Sequence, residues 1–288
     1  MSASLLFNPA IAVIGHWFSA RRGLATGIAC TAGGLGGVAF PLIILYVAPL
    51  HGFGWAIRTI GFINAAVCLA ACCLLRKRLP PNKVAGAAID LRAVAERKYG
   101  AVTLATFLVE FAVFIPYTYI CSYGVAMGIE KEVSYRLNVL LNVGAIPGRV
   151  LPGYLADRLG TFNTMCVTAM VCTVVVLALW MKAEGGEAAT TAFAVLYGFW
   201  SGAAISLTPV CIGEVCRVED YGKRTGTAFF IASIGALVGV PIGGAIIESE
   251  GGMYTGLIAF GGALYGAAFL AYFVSRGLAG GWKMKAVL

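Results

Sequence analysis

Nine stretches of this chain are apolar for about the length of a membrane helix, and short polar segments separate them. They run roughly 3–18, 24–50, 55–75, 100–125, 135–156, 162–182, 190–214, 225–247 and 254–275. About 20 apolar residues cross the hydrocarbon core of a bilayer. Only 12% of the residues are charged, against roughly 25% in soluble domains. The pattern predicts an all-α integral membrane protein with nine transmembrane helices. The first stretch is short and has no basic residue ahead of it, unlike a signal peptide. It reads as the tail of a helix whose start, or whose predecessors, are absent from the sequence.

The net charge of +8 would suggest a nucleic-acid binder if it were clustered. It is not. One alternating set of loops holds sixteen of the 21 lysines and arginines, from Arg21 and Arg22 through Arg158 and Arg224 to Lys285. The opposite set holds Arg58, Lys131, Arg136 and Lys182. Cytoplasmic loops carry the basic excess, so the first set is assigned to the cytoplasm, with the C-terminus. The charge is topology, and no nucleic-acid partner is expected. The longest connection, 76–99, is basic and contains Pro80-Pro81. It divides the chain into a three-helix segment (1–75) and a six-helix segment (100–276), followed by a tail (277–288).

Arg149 is the charge that the spans leave over. A charge at membrane depth is costly, so it usually faces a cavity or a partner and has a function. Asn138, Asn142, Ala145 and Arg149 recur at helical spacing and share one face. A guanidinium fork matches both oxygens of a carboxylate, so an organic anion is the expected ligand, with Asn138, Asn142 and Tyr117 as further contacts. A structural pairing with a buried acid or with carbonyls is the alternative. Glu110 is the other ionisable residue deep in a span. It lies about 16 Å from the basic edge, and Arg149 about 12 Å, at 1.5 Å per residue. The similar depths would let the two pair, and protonation of Glu110 would then free Arg149 for substrate. Phe114, Tyr117 and Cys121 share the Glu110 face, and Tyr197, Ser201 and Thr208 form a similar stripe; both are read as cavity walls or core.

Glycines recur four apart at Gly33/Gly37, Gly144/Gly148, Gly198/Gly202, Gly235/Gly239/Gly243 and Gly262/Gly266. This spacing lets helices approach closely. The nine cysteines fall almost entirely in apolar spans and read as small packing residues. His16 and His51 stand at helix ends without a partner motif. No phosphate-binding glycine loop followed by Lys-Ser/Thr is present. No cofactor, metal or enzymatic activity is expected. A weak internal echo links Thr26-Gly27-Ile28-Ala29 to Thr225-Gly226-Thr227-Ala228, six helices apart.

Several segments resemble the major facilitator superfamily, and within it the fungal monocarboxylate-transporter-like group. They are Trp17-Phe18-Ser19-Ala20-Arg21-Arg22-Gly23-Leu24-Ala25-Thr26-Gly27, Gly148-Arg149 through Gly160, Leu196-Tyr197-Gly198-Phe199-Trp200-Ser201-Gly202 and Gly235 through Gly244. The resemblance implies two six-helix halves that move by alternating access. It places these nine helices as the fourth to the twelfth of the family template, without the first three. It implies a substrate-binding role for Arg149 and a gating role for Gly153, Asp157, Arg158 and Gly160. Asp157 is also placed to meet the positive N-terminus of a neighbouring helix. In animal relatives an aspartate stands one turn before the arginine; here that residue is Ala145, which puts proton coupling by that route in doubt.

The expected function is secondary active transport of a small organic anion, a monocarboxylate first, across a lipid bilayer, with protons as a coupling ion through Glu110. The plasma membrane is the location that the resemblance implies. Efflux of a fungal secondary metabolite or uptake of a vitamin-like anion would use the same fold. A truncated, non-transporting membrane protein is the alternative from another class.

Overall fold

A computed structural model describes residues 2–76, 89–184 and 186–281, with side chains from residue 7. Among the described residues nine α-helices follow one another: α1 (Ser2–Trp17), α2 (Arg22–His51), α3 (Phe53–Leu74), α4 (Arg97–Ala126), α5 (Lys131–Leu159), α6 (Thr161–Val174), α7 (Glu187–Glu214), α8 (Tyr221–Ser249) and α9 (Thr255–Gly280). A π-helical turn, Val175–Trp180, extends α6, and a 3-10 turn, Leu91–Ala95, precedes α4. No strand occurs among the described residues. Eight of these elements, counting α6 with its extension, are long and apolar enough to cross a membrane; α1 is too short. This is a multi-pass membrane protein. Several helices start earlier than hydropathy predicts, α5 at Lys131 and α4 at Arg97. Apolarity marks only the part of a helix in lipid, whereas backbone hydrogen bonding continues into water.

The basic loops meet at one end. Arg224 of α8 makes two hydrogen bonds of 2.7–2.8 Å to Glu96, just before α4. Arg276 of α9 bonds Asn163 of α6, and Lys98 reaches the carbonyl of Ala279 at 3.5 Å. Pro80-Pro81 and the end of the tail lie outside the described residues.

Helix α5 runs between α2 and α7, and glycine sets both contacts. A β-carbon at Gly144 or Gly148 would collide with the carbonyls of Val195 or Phe199 on α7. One at Gly198 or Gly202 would collide with the backbone of Leu141 or Ala145 on α5. On the other side, Gly27 faces the Arg149 carbonyl, and Gly23 and Gly153 face each other's carbonyls. Helices in lipid gain no hydrophobic drive from burying one another, so such close packing is what joins them. The α8 glycines behave differently: Gly235 and Gly239 receive the rings of Phe107 and Phe111, and Gly243 sits under Tyr119 and Leu257. Gly226 has open space around it while Gly27 is in tight contact, so the internal echo is not matched in packing.

Aromatic residues fill the interior of α4–α9 towards the end opposite the basic loops. Trp180 stacks on Phe193 with ring centroids 4.9 Å apart, and Phe193 on Tyr197 at 5.4 Å. Tyr123 meets Trp180 and Tyr254 edge-on. Cys172 is buried here, Cys166 and Cys211 are buried in the interior nearer the basic loops, and Cys30 is buried in α2, as packing residues should be. Cys68, Cys72 and Cys73 are exposed on α3, where only Ala56 is buried.

Gly148→Val should destabilise the protein by about 1–3 kcal/mol, the usual cost of overpacking. Gly266→Ala should change little, because the nearest atom to its new methyl, on Thr173, would be 3.8 Å away. Thermal unfolding midpoints in detergent test this: a Gly148→Val midpoint equal to that of the parent would contradict the packing argument.

Candidate functional site

Arg149 is 6% exposed at the middle of α5. Pro147 and Pro152 bracket it; each removes one N–H from the helix ladder. Its Nη1 donates to the carbonyl of Cys30 on α2, and the guanidinium lies over Gly33, where a side chain would displace it. Its Nε is buried with no acceptor. Among the described residues no carboxylate lies within ion-pair distance of it. The Tyr117 hydroxyl stands within its electrostatic reach. The arginine therefore carries a charge that the fold does not neutralise.

The asparagine face leads outward from it. Asn142 Nδ2 donates to the Asn138 carbonyl at 2.9 Å and to its side-chain oxygen at 3.0 Å. The Asn142 amide packs directly on Gly37 of α2. Asn138 in turn reaches the Tyr117 carbonyl at 3.4 Å. Both asparagines border a groove of about 770 Å³ between α2, α3 and α5, with Gly33, Gly37, Phe40 and Asn64 among its walls. A second hollow of about 360 Å³ adjoins Asn138, Cys121 and Tyr135. Tyr117 joins α4 to α7 through Ser201 at 3.4 Å. Tyr197 is turned into the bundle, where it donates to the Val113 carbonyl at 3.0 Å and meets the Tyr265 hydroxyl at 2.8 Å.

Glu110 is not paired with Arg149, contrary to the expectation from depth. It is 8% exposed and makes no ion pair among the described residues. Tyr197 of α7 and Tyr272 of α9 lie within electrostatic reach of it, in a cluster with Tyr117, Tyr265, Cys172 and Cys211. Equal depth fixes a position along the membrane normal but not around the helix axis. Arg149 points at α2, and Glu110 points into the α4–α9 interior. Phe114 likewise leaves the expected wall, being 41% exposed.

Asp157 ends α5 at the basic end and caps α2. Its two oxygens accept from the backbone N–H of Gly23 at 2.8 Å and of Leu24 at 2.9 Å. These are orphan donors of the first helical turn, and a carboxylate there also meets the positive end of the helix dipole. Gly153, one turn earlier, supplies the close approach. Arg158 lies over the Tyr154 ring at 4.5 Å, and Gly160 closes the helix at φ 95°, where glycine is favoured. Arg22, the first residue of α2, lies over Tyr221 of α8 at 5.4 Å, and Tyr221 also occupies the space beside Gly15 of α1. Sequence reasoning missed Arg22 and Tyr221. It also missed the clasp of the pre-α4 segment on α8, where Asp90 meets Lys223 at 3.2 Å and its N–H donates to Thr227. They sit at or beside the first turns of α2, α4 and α8, at the basic end, where hydropathy carries no information about partners.

Comparison with known proteins agrees with the fold. Residues 1–191 match the family described as Major Facilitator Superfamily. The chain is 34% identical over 277 residues to an MFS-type transporter of Gibberella moniliformis, covering 96% of this chain and 66% of the relative. It is 33% identical over 303 residues to the riboflavin transporter MCH5 of Saccharomyces cerevisiae, covering 97% and 58%. The chain belongs to the major facilitator superfamily. It spans about 58–67% of the length of such relatives. Among solved structures, the superfamily transporter FucP in its outward conformation superimposes with a TM-score of 0.67 at 15% identity, over 93% of this chain and 71% of that one. A bacterial homologue of the iron transporter ferroportin gives 0.68 at 12%, over 91% and 66%. Both likenesses concern the fold.

In this major facilitator chain the Asp157 cap should be measurable. Asp157→Ala removes both acceptors, worth about 1 kcal/mol for a lost cap, so the Gly23 and Leu24 amides should exchange hydrogen about fivefold faster. Unchanged exchange would show that the cap does not hold α2. The Asp90 clasp should respond to pH. The Lys223 ammonium holds the Asp90 carboxyl below its ordinary value, mainly through its hydrogen bond. A lowered folded pKa gives stability that is present above the unfolded pKa, about 3.9, and is lost as pH falls through the folded value. Exchange at the Ala93 amide, which donates to Asp90 at 3.2 Å, should therefore accelerate only in strong acid.

Proposed function

We propose that this chain takes part in secondary active transport of an organic anion, with Arg149 as the anion contact. The observation that carries the reading is a buried guanidinium whose Nε has no acceptor and which has no carboxylate in reach among the described residues. An uncompensated charge at membrane depth is expensive, and a carboxylate ligand would supply both the missing charge and the missing acceptor. Asn138 and Asn142 would orient the rest of the substrate from the groove, and Tyr117 from beside the guanidinium. The superfamily match and relatives named as transporters support transport as the activity.

Alternating access would use the two ends of α5 differently. The basic end, assigned to the cytoplasm, is held by Asp157 on α2 and by Arg22 on Tyr221. Gly153, Asp157, Arg158 and Gly160 would form the gate that must release as the helix segments 1–75 and 100–276 rock apart. Between α5 and α7 the glycine faces meet backbone against backbone, without side chains that would block sliding. The plasma membrane is the proposed location.

A larger anion is the second reading, and the groove favours it. Its volume of about 770 Å³ falls in the range of roughly 300–1,000 Å³ typical of drug-sized ligands, more than a three-carbon acid requires. Relatives named as a riboflavin transporter and an aspyridones efflux protein belong with this reading. Binding of a short aliphatic carboxylate and of a fused-ring aromatic carboxylate to reconstituted protein separates the two. Arg149→Ala should abolish binding of whichever anion is taken, and Arg149→Lys should weaken it by about tenfold or more, as expected when a bidentate fork becomes a point charge. Full binding in Arg149→Ala protein would overturn the proposal.

A further inference from the structure

Polar residues on α4 form a stripe that neither the Arg149 site nor the gate uses. Tyr99, Thr103, Thr106 and Glu110 follow one another at four-, three- and four-residue steps, so they share one helix face. The first three are at most 2% exposed and Glu110 is 8% exposed. The face points into the α4–α9 bundle, away from α2. Other helices add hydroxyls to it. Tyr272 of α9 lies 3.5 Å from the Thr106 hydroxyl and also interacts with Thr208 of α7. Thr103 donates to the Tyr99 carbonyl at 2.9 Å, and Tyr99 donates to the Arg224 carbonyl at 2.7 Å. The stripe thus starts at the basic end. There, a hollow of about 550 Å³ is lined by Glu96, Glu214 and Asp220 beside Lys98, Arg217 and Arg224. It ends at Glu110, about 16 Å along the helix.

Among the described residues no cation lies within ion-pair distance of Glu110. On α5 the nearest span charge, Arg149, bonds the Cys30 carbonyl instead. The span of α8 that packs on α4 between Arg224 and Glu248 carries no charged residue and presents Gly235 and Gly239 to Phe107 and Phe111. Tyr197 from α7, itself bonded to Tyr265, and Tyr272 from α9 lie within electrostatic reach of the carboxyl, and these tyrosines are in turn within reach of Cys172 and Cys211. A carboxyl at membrane depth with tyrosine hydroxyls and no cation in reach among the described residues is placed to bind a proton, and intramembrane carboxyls of this kind mark proton relays.

We propose that Glu110 is a proton-binding site loaded from the basic end through the Tyr99–Thr103–Thr106/Tyr272 hydroxyl stripe, separate from the anion site at Arg149. The step is a transfer of protons alone. Each hydroxyl accepts one proton from the side of the charged hollow and releases its own towards Glu110, whose carboxylate becomes a carboxylic acid. Single waters can bridge the one-turn gaps between successive hydroxyls. The inference rests on the transporter reading for its purpose but not for its test.

Infrared spectroscopy of the full chain in liposomes, with no substrate present, tests it. A carboxylic-acid band should titrate with pH and should vanish in Glu110→Gln. Tyr272→Phe and Thr106→Val should each slow hydrogen–deuterium exchange of that band by about tenfold or more, one such factor per 1.36 kcal/mol of added barrier. Thr106→Ser should restore the rate, which separates loss of the hydroxyl from loss of the fold. Arg149→Ala should abolish anion binding and leave the band intact. A band that persists in Glu110→Gln would overturn the proposal, as would exchange unaffected by both hydroxyl deletions. If the band behaves as described but no anion binds the parent protein, the transport reading fails and the proton site stands.

Discussion

Backbone contact across glycine, on two sides of one helix, is the constraint on which the rest depends. α5 meets α7 through Gly144, Gly148, Gly198 and Gly202, and meets α2 through Gly23, Gly27 and Gly153. At that separation the carbonyls of one helix lie against the α-carbons of the next, and no side chain intervenes. Everything functional on α5 inherits its position from these contacts. Arg149 reaches Cys30 because Gly27 and Gly33 let α2 come within its span. Asp157 reaches two amides of α2 because Gly23 and Gly153 close the same gap one turn away.

Two buried charges then divide the interior. Arg149 faces the seam between α2 and α5, and Glu110 faces the hydroxyl-rich interior of α4–α9. Their separation changes the chemistry available. An ion pair would make the release of one group depend directly on the other. Two isolated groups can be coupled only through movement of the helices that carry them, which is the coupling that a rocking bundle supplies.

Much of the fold was legible in sequence because lipid imposes one rule on every span. Apolar runs gave the helices, and the glycine spacing gave the close contacts at α5 and α7. A carboxylate at the end of α5 is suited to the positive N-terminus of a neighbouring helix, and Asp157 does cap α2. What sequence could not give was azimuth. Glu110 and Arg149 matched in depth, yet their directions depend on how α4 and α5 are rotated by neighbours far away in the chain. Phe114 shared a nominal face with Tyr117, but three residues of helical drift put one ring outside and the other against Ser201. Arg22, Tyr221 and the Asp90–Lys223 clasp were hidden for a different reason. A polar side chain at a helix end has many possible partners, and only folding selects one.

The cap that Asp157 places on α2 is addressed to backbone, and that shapes how the contact tolerates mutation. The N–H groups of Gly23 and Leu24 are present whatever side chains stand there, so most of α2's first turn can change without altering what the carboxylate sees. Only bulk at Gly23, or a proline at position 23 or 24, would interfere. Asp157 has no such freedom, since no shorter or uncharged side chain offers two acceptors at that reach. One partner is therefore fixed in identity and the other only in shape, and natural variation across this contact should be correspondingly lopsided.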